Sequence, residues 1–139
     1  MTTVAYRNGV LAADSLATSN DTVTGHAAKL KRLVDGRLAA MLGRTGAAQR
    51  LLAWIEAGQQ GDQPDGDASV VIIDQDGASY YDDGVHERCS AAPFKAWGTG
   101  GCLAIGAMAA GASAEEAVRI ACEWDIYTGG EVITLSLDD

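Results

Sequence analysis

The sequence predicts an α+β protein in which antiparallel hairpins alternate with helices. Two observations carry this. The tight-turn pairs Asn8-Gly9, Asp35-Gly36 and Asp76-Gly77 each separate two short β-prone runs. Helical periodicity appears only after the second and third of these hairpins. The order is strands, one helix, strands, two helices, strand, so antiparallel sheets are covered by helices, which gives an α+β or layered architecture.

Residues 2–6 and 9–13 form the first hairpin, and a polar stretch follows from 15 to 25. Residues 29–33 and 38–42 form the second. Gly43-Arg44-Thr45-Gly46 then breaks the strand. Ala48, Leu51, Leu52 and Ile55 fall at i, i+3, i+4 and i+7, so a helix over 46–57 buries that face, with Gly58 ending it. Residues 59–67 are a Gln/Asp/Gly/Pro linker, too polar and short for another helix. A core strand over 69–74 turns at 75–77 into a strand over 78–81. Residues 82–92 read as loop and 93–97 as an edge strand.

Gly98-Thr99-Gly100-Gly101 opens an alanine-rich helix to about Ala110, with Gly111 placed to end it. Ser113 and Glu116 form a capping box for the next helix, whose buried face is Ala114, Ala117, Val118, Ala121 and Cys122. Residues 125–130 lead into an alternating last strand over 132–137. No internal repeat interrupts the chain, which reads as a single domain over 1–139.

With 47% hydrophobic and 21% charged residues, composition is that of a soluble globular domain. No run approaches the ~18 apolar residues of a spanning helix, so no membrane partner is expected. The N-terminus lacks a signal-peptide layout. Cys89, Cys102 and Cys122 have no CxxC spacing and read as free thiols, which points to the cytoplasm. The net charge of −9 argues against a sequence-independent nucleic-acid partner. Residues 1–50 carry seven of the ten Lys/Arg but three of the nineteen Asp/Glu. Either the acids solvate loops, or the basic segment faces an acidic surface of a second copy. His26 and His86 read as surface histidines.

The chemistry starts at Met1-Thr2. If Met1 is removed, Thr2 carries both a hydroxyl and a free α-amine, a nucleophile and a base on one residue. An unperturbed α-amine titrates near ~7.7–8.0, so part of it is neutral at pH 7. Taken alone, Thr2 more readily begins an ordinary strand than a catalytic site.

Five pieces in one order bear on that choice: Thr2-Thr3-Val4, Ala12-Ala13-Asp14-Ser15-Leu16-Ala17-Thr18, Lys29 before Leu30-Lys31-Arg32-Leu33, Gly98-Thr99-Gly100-Gly101, and Asp125-Ile126-Tyr127-Thr128-Gly129-Gly130. In this order the chain resembles the proteasome β-type peptidases, and most of all the bacterial HslV type, over residues 2 to about 136. The resemblance implies a four-layer αββα N-terminal-nucleophile hydrolase sandwich. It implies a threonine-type endopeptidase in a homo-oligomeric ring, acting on peptides or unfolded proteins, with an ATP-dependent unfoldase as a partner. The family's second long helix has no counterpart in residues 58–68, so this is a shortened member.

The resemblance also assigns roles. Thr2 is the nucleophile, Lys29 the active-site lysine and Asp14 its acid. Strand alternation alone does not single out Lys29 from Lys31. Gly43 matches the glycine whose N–H stabilises the oxyanion, although a glycine also suits a plain helix start. The preceding Ala40-Met41-Leu42 is one residue shorter than in HslV-type chains, which leaves that register open by one. Thr99 stands where the family has serine, and Asp125 matches the motif acid. Both would orient the amine. Backbone carbonyls of Cys122, Asp125 and Thr128 match a structural Na+ or Mg2+ site, and no cofactor is required. Two alternatives stand beside the peptidase: a silent structural subunit, and an amidase for a small amide.

Overall fold

The computed structural model describes residues 1–89 and 93–139. β1 (Thr3–Arg7) and β2 (Val10–Ala13) form the expected first hairpin, with Asn8 and Gly9 both at positive φ as a primed two-residue turn requires. Among the described residues β3 (Leu16–Ser19) and β4 (Thr22–His26) pair only with each other. β5 (Leu30–Arg32), β6 (Leu38–Gly43), β7 (Ala68–Asp74), β8 (Gly77–Asp82) and β9 (Val85–Cys89) make a five-stranded antiparallel sheet in sequence order. β10 (Phe94–Gly98) and β11 (Ile133–Ser136) flank the first hairpin, giving a four-stranded sheet ordered β10-β1-β2-β11.

Alternation along each strand separates three cores. Val4, Leu11 and Ala13 from one sheet meet Leu38, Leu42, Val71 and Ile73 from the other, so the sheets stack face to face. The outer face of the five-stranded sheet, with Ala39, Val70 and Ile72, takes Leu51, Leu52 and Ile55 of α1 (Thr45–Glu56). The outer face of the four-stranded sheet is fully buried at Ala5 and Ala12, with Val10, Phe94 and Ala96 partly buried around them. The two small alanines let α2 (Gly101–Ala109) and α3 (Ala114–Trp124) pack close through Ala104, Met108, Ala117 and Val118. The layers are α1, sheet, sheet, α2–α3, the expected αββα order.

Local signals held where they were strongest. The Gly111 N–H bonds the Met108 carbonyl and the Ala112 N–H the Ala107 carbonyl, a Schellman end with Gly111 at φ +111°. Both halves of the Ser113–Glu116 capping box are made. Residues 59–67 contain no helix. They are tied down through Trp54 Nε1 to the Gln60 carbonyl and Gln59 to Tyr81.

Two expectations are corrected. The polar stretch 15–25 is mostly the β3–β4 hairpin, with Asn20 and Asp21 both at positive φ in its turn. Residues 85–89 of the expected loop 82–92 form β9, reached through Asp83-Gly84, and residues 90–92 lie outside the described residues. Both segments are wet on their faces, so neither carries the apolar alternation that marks a half-buried strand.

The basic N-terminal segment is largely engaged within the chain. Arg7 donates to the Met108 and Ala112 carbonyls, Arg32 to the Ser136 carbonyl, and Lys29, Lys31 and Arg37 pair with Asp14, Glu56 and Asp35. No helix among the described residues is long and apolar enough to cross a membrane.

Candidate active site

β1 begins in the middle of the four-stranded sheet's end, so the sheet holds the Met1–Thr2 peptide in place. Thr2 is buried, at 6% exposure. Gly98, paired with Thr3 on β10, lies so close that any Cβ there would strike the Thr2 carbonyl. Its φ of +97° also favours glycine.

Asp14 directly follows β2, beside Thr3, and is 1% exposed. Both its oxygens are fully used. Oδ1 accepts from the Thr3 N–H at 3.1 Å and from Lys29 Nζ at 2.9 Å; Oδ2 accepts from the Leu16 and Gly129 N–H groups at 3.3 and 3.1 Å. Lys29 immediately precedes β5 and is 8% exposed, whereas Lys31 is exposed and pairs on the surface. Burial therefore separates the two lysines that alternation could not. Besides Asp14, Lys29 Nζ donates to the Met1 carbonyl at 2.9 Å. The carbon of that carbonyl is bonded to the Thr2 nitrogen, so the ammonium lies beside the Met1–Thr2 peptide. Burial pulls the Lys29 pKa below its ordinary value, against the opposing charge and hydrogen bond of Asp14. The Met1 amine is lowered as well, first by burial and then by the Lys29 charge.

Gly43 ends β6 at φ +88°, and a Cβ there would collide with the Asp67 carbonyl and the Ala68 backbone. The hydrogen-bond direction settles where its N–H points. The Met41 N–H bonds the Lys29 carbonyl at 2.8 Å, on the β5 side of the strand. Two residues on, the Gly43 N–H points the same way, beyond the reach of β5, and meets no acceptor among the described residues. The intervening geometry agrees, since the Arg44 N–H turns the other way, to the Asp67 carbonyl. Gly43 therefore presents a free N–H on the side where Lys29 lies.

Two cavities meet at Thr2 and Gly43. One is small, about 80 Å³, and reaches Lys29, Met41 and Ala48. The other is an open groove of about 730 Å³ that reaches Thr99 and Tyr127.

A chain of hydroxyls closes the site behind Thr2. Thr128 Oγ1 donates to Asp125 Oδ2 at 2.5 Å, and Thr99 Oγ1 donates to the same oxygen at 2.6 Å. Since the Thr128 proton goes to the carboxylate, Thr3 Oγ1 is the donor in its 2.7 Å bond to Thr128 Oγ1. The Thr99 hydroxyl also lies 3.5 Å from the Thr2 carbonyl, a contact at the outer limit once its single proton is given to Asp125. Burial alone raises the Asp125 pKa. The Thr128 and Thr99 hydroxyls and the Tyr127 N–H more than reverse this and hold it below the usual carboxylate range.

The structure thus gathers Thr2, Asp14, Lys29 and Gly43 on one side and Thr99 and Asp125 on the other. Thr3 escaped the sequence reading. Period-2 alternation places adjacent threonines on opposite faces, and that was the available signal.

Cys122, at the end of α3, has its thiol raised chiefly by burial and is no reactive thiolate. For the ion site, the Cys122 and Thr128 carbonyls accept no backbone hydrogen bond among the described residues, while the Asp125 carbonyl accepts from the Thr128 N–H. Carbonyl oxygens of this kind fit a hard cation. Among the described residues no three His, Cys, Asp or Glu side chains gather as a metal cluster.

No family model matches the sequence, and no curated protein matches it. Solved structures do. HslV from Trypanosoma brucei superposes with a TM-score of 0.74 at 22% identity, covering 97% of this chain and 98% of that one. Thiobacillus denitrificans BPH in complex with epoxomicin gives 0.69 at 19% identity, covering 98% of each chain. A second structure of Thiobacillus denitrificans BPH gives 0.66 at 19% identity, covering 98% of this chain and 97% of that one. The chain shares the fold of these proteins, two stacked antiparallel sheets between helical layers.

Proposed function

We propose that the chain is a threonine-type endopeptidase that becomes competent when Met1 is removed. The observation that carries this is the buried Lys29–Asp14 pair, aimed at the peptide that joins Met1 to Thr2. A buried ammonium is costly unless it is paired, and here its second hydrogen bond goes to the one carbonyl that processing would remove. The shared fold with HslV and with epoxomicin-bearing BPH supports the same assignment.

In the proposed reaction Thr2 Oγ attacks a peptide carbonyl while its own α-amine takes the hydroxyl proton, directly or through water. The oxygen of the tetrahedral intermediate lies against the free Gly43 N–H, a fixed donor at a strand end. The amine returns the proton to the leaving nitrogen, leaving an ester on Thr2, which water then hydrolyses. Lys29 lowers the pKa of the amine and hydroxyl by its charge. Asp14 holds Lys29, and Asp125 with Thr99 fixes the wall beside Thr2. A hard monovalent or divalent cation on the carbonyls of Cys122, Asp125 and Thr128 would brace the 125–130 turn and take no part in the chemistry.

The Met1-free protein, verified by intact mass, is expected to cleave unfolded casein and peptides. Absence of cleavage, or turnover of small amides only, would contradict the proposal. The pH dependence has a definite sign. Burial and the Lys29 charge depress the Met1 amine, and the same two causes are expected to act on the Thr2 amine of the processed chain. The neutral amine is the active form, so kcat/KM rises with pH through a pKa below the ordinary ~7.7–8.0. An acid limb centred above that range would remove Lys29 from this role.

We extend the proposal to a homo-oligomeric ring, to which an ATP-dependent unfoldase would deliver substrates. Trp124 and Ile126 are 73% and 81% exposed, and Leu103, Ile105 and Ile120 add apolar surface on α2 and α3. In a ring, a neighbouring copy would cover these side chains. Sedimentation is expected to give a closed assembly, and a monomer would contradict the ring.

A further inference from the structure

We infer that the hydrogen bond from Tyr127 to Asp21 is a latch that holds the β3–β4 hairpin as a wall of the groove beside Thr2. It makes the two residues positioning residues for substrates that span that groove. This rests on the peptidase proposed above.

The hairpin needs such a device. Among the described residues its strands pair only with each other, and most of its residues are solvent-exposed on both faces. An isolated two-stranded hairpin is marginally stable in water. At its base it is tied to the body by the Ser15 N–H to the Gly129 carbonyl and by Leu16 packed against Gly129. Toward its tip, two side-chain hydrogen bonds reach it among the described residues. One comes from the Met1 amine to Thr18 Oγ1 at 3.2 Å. The other is Tyr127 Oη donating to Asp21 Oδ1 at 2.9 Å, across 106 residues of sequence.

Removal of Met1 abolishes the first of these. In the processed chain the Tyr127–Asp21 bond is then the remaining side-chain tie between the tip and the body. Its ends are well placed for the task. Tyr127 sits on the turn that carries Asp125, and Asp21 sits at the hairpin's own turn, at φ +61°. Thr18, Asp21 and Tyr127 all line the groove that contains Thr2 and Gly43. A peptide reaching across Thr2 into that groove meets the hairpin on one side. A substrate with only a small leaving group does not depend on it.

Three variants of the Met1-free protein test this. Tyr127→Phe removes the donor, Asp21→Gly removes the acceptor without straining a positive φ, and Asp21→Asn keeps both acceptor and backbone tolerance. Two readouts are taken: amide hydrogen exchange over residues 18–23, and the ratio of KM for a peptide extended on both sides of the scissile bond to KM for a short peptidyl-aminocoumarin. Tyr127→Phe and Asp21→Gly are expected to speed exchange and raise the KM ratio, each by roughly two- to tenfold, the worth of one hydrogen bond. Asp21→Asn should stay close to the unaltered protein in both. Unchanged exchange in Tyr127→Phe overturns the latch. Faster exchange with an unchanged KM ratio overturns its positioning role. Failure of the peptidase itself shows separately, as absence of turnover in the unaltered protein, and hydrogen exchange decides the latch in that case too.

Discussion

Thr2→Ala is expected to eliminate peptide hydrolysis while leaving the fold intact. Loss of a covalent nucleophile together with its proton transfer costs on the order of 10⁴-fold or more. Alanine still permits the β1 backbone to pair with β10 and β2, because those bonds begin at Thr3. The side chain removed is small, so the stability change should be about 1 kcal/mol, the centre of the range for point substitutions. Thr2→Ser keeps a hydroxyl and an amine on one residue and should retain measurable turnover. Substantial hydrolysis by a Met1-free Thr2→Ala protein would mean that the nucleophile lies elsewhere.

Lys29→Met is expected to damage both activity and stability, for one physical reason. Among the described residues the ammonium is the only cation paired with Asp14, whose side chain has no solvent exposure. Removing it leaves a carboxylate buried without a counter-charge, which typically costs about 3–5 kcal/mol. Asp14 keeps three backbone N–H donors, from Thr3, Leu16 and Gly129, so the loss should lie toward the lower end. Methionine replaces most of the aliphatic volume, and the residual effect is therefore electrostatic. Activity should fall by at least about 10²-fold, as for loss of a group that tunes the reacting base. Denaturant midpoints and single-turnover rates measure the two effects separately. Wild-type turnover in Lys29→Met would remove the lysine from the mechanism, whatever its effect on stability.

The legible parts of the fold were those written in local chemistry. Asn8-Gly9 specifies a turn through residues that tolerate positive φ, and Ser113 with Glu116 specifies a helix start. Asp76-Gly77 marks its hairpin one residue late, since the turn itself is Gln75-Asp76 and Gly77 opens β8. The apolar stripe Ala48, Leu51, Leu52, Ile55 is the buried face of α1. The β3–β4 hairpin and β9 were illegible to hydrophobic periodicity because no core face exists to pattern them. Their turns, Asn20-Asp21 and Asp83-Gly84, were the readable signal.

The candidate site divides along the same line. Thr2 is legible because hydroxyl and amine belong to one residue. Lys29 is not, since Lys31 lies on the same strand face and only three-dimensional burial tells them apart. Asp14 and Asp125 required the resemblance, because their partners, Gly129 and Thr99, are 115 and 26 residues away. The Gly43 register turned on which way successive N–H groups of β6 point, and that depends on β5 ending short of them. Tertiary pairing, not residue type, decides such a question.

The central claim is that Thr2, freed of Met1, is the nucleophile. It is tested most directly by incubating Met1-free and Met1-retaining protein with a peptide epoxyketone or β-lactone and mapping the adduct by peptide mass. One adduct on Thr2 of the Met1-free chain, and none on the chain that keeps Met1, is the predicted result. An unlabelled Thr2 in the Met1-free chain, or equal labelling of both forms, would contradict it.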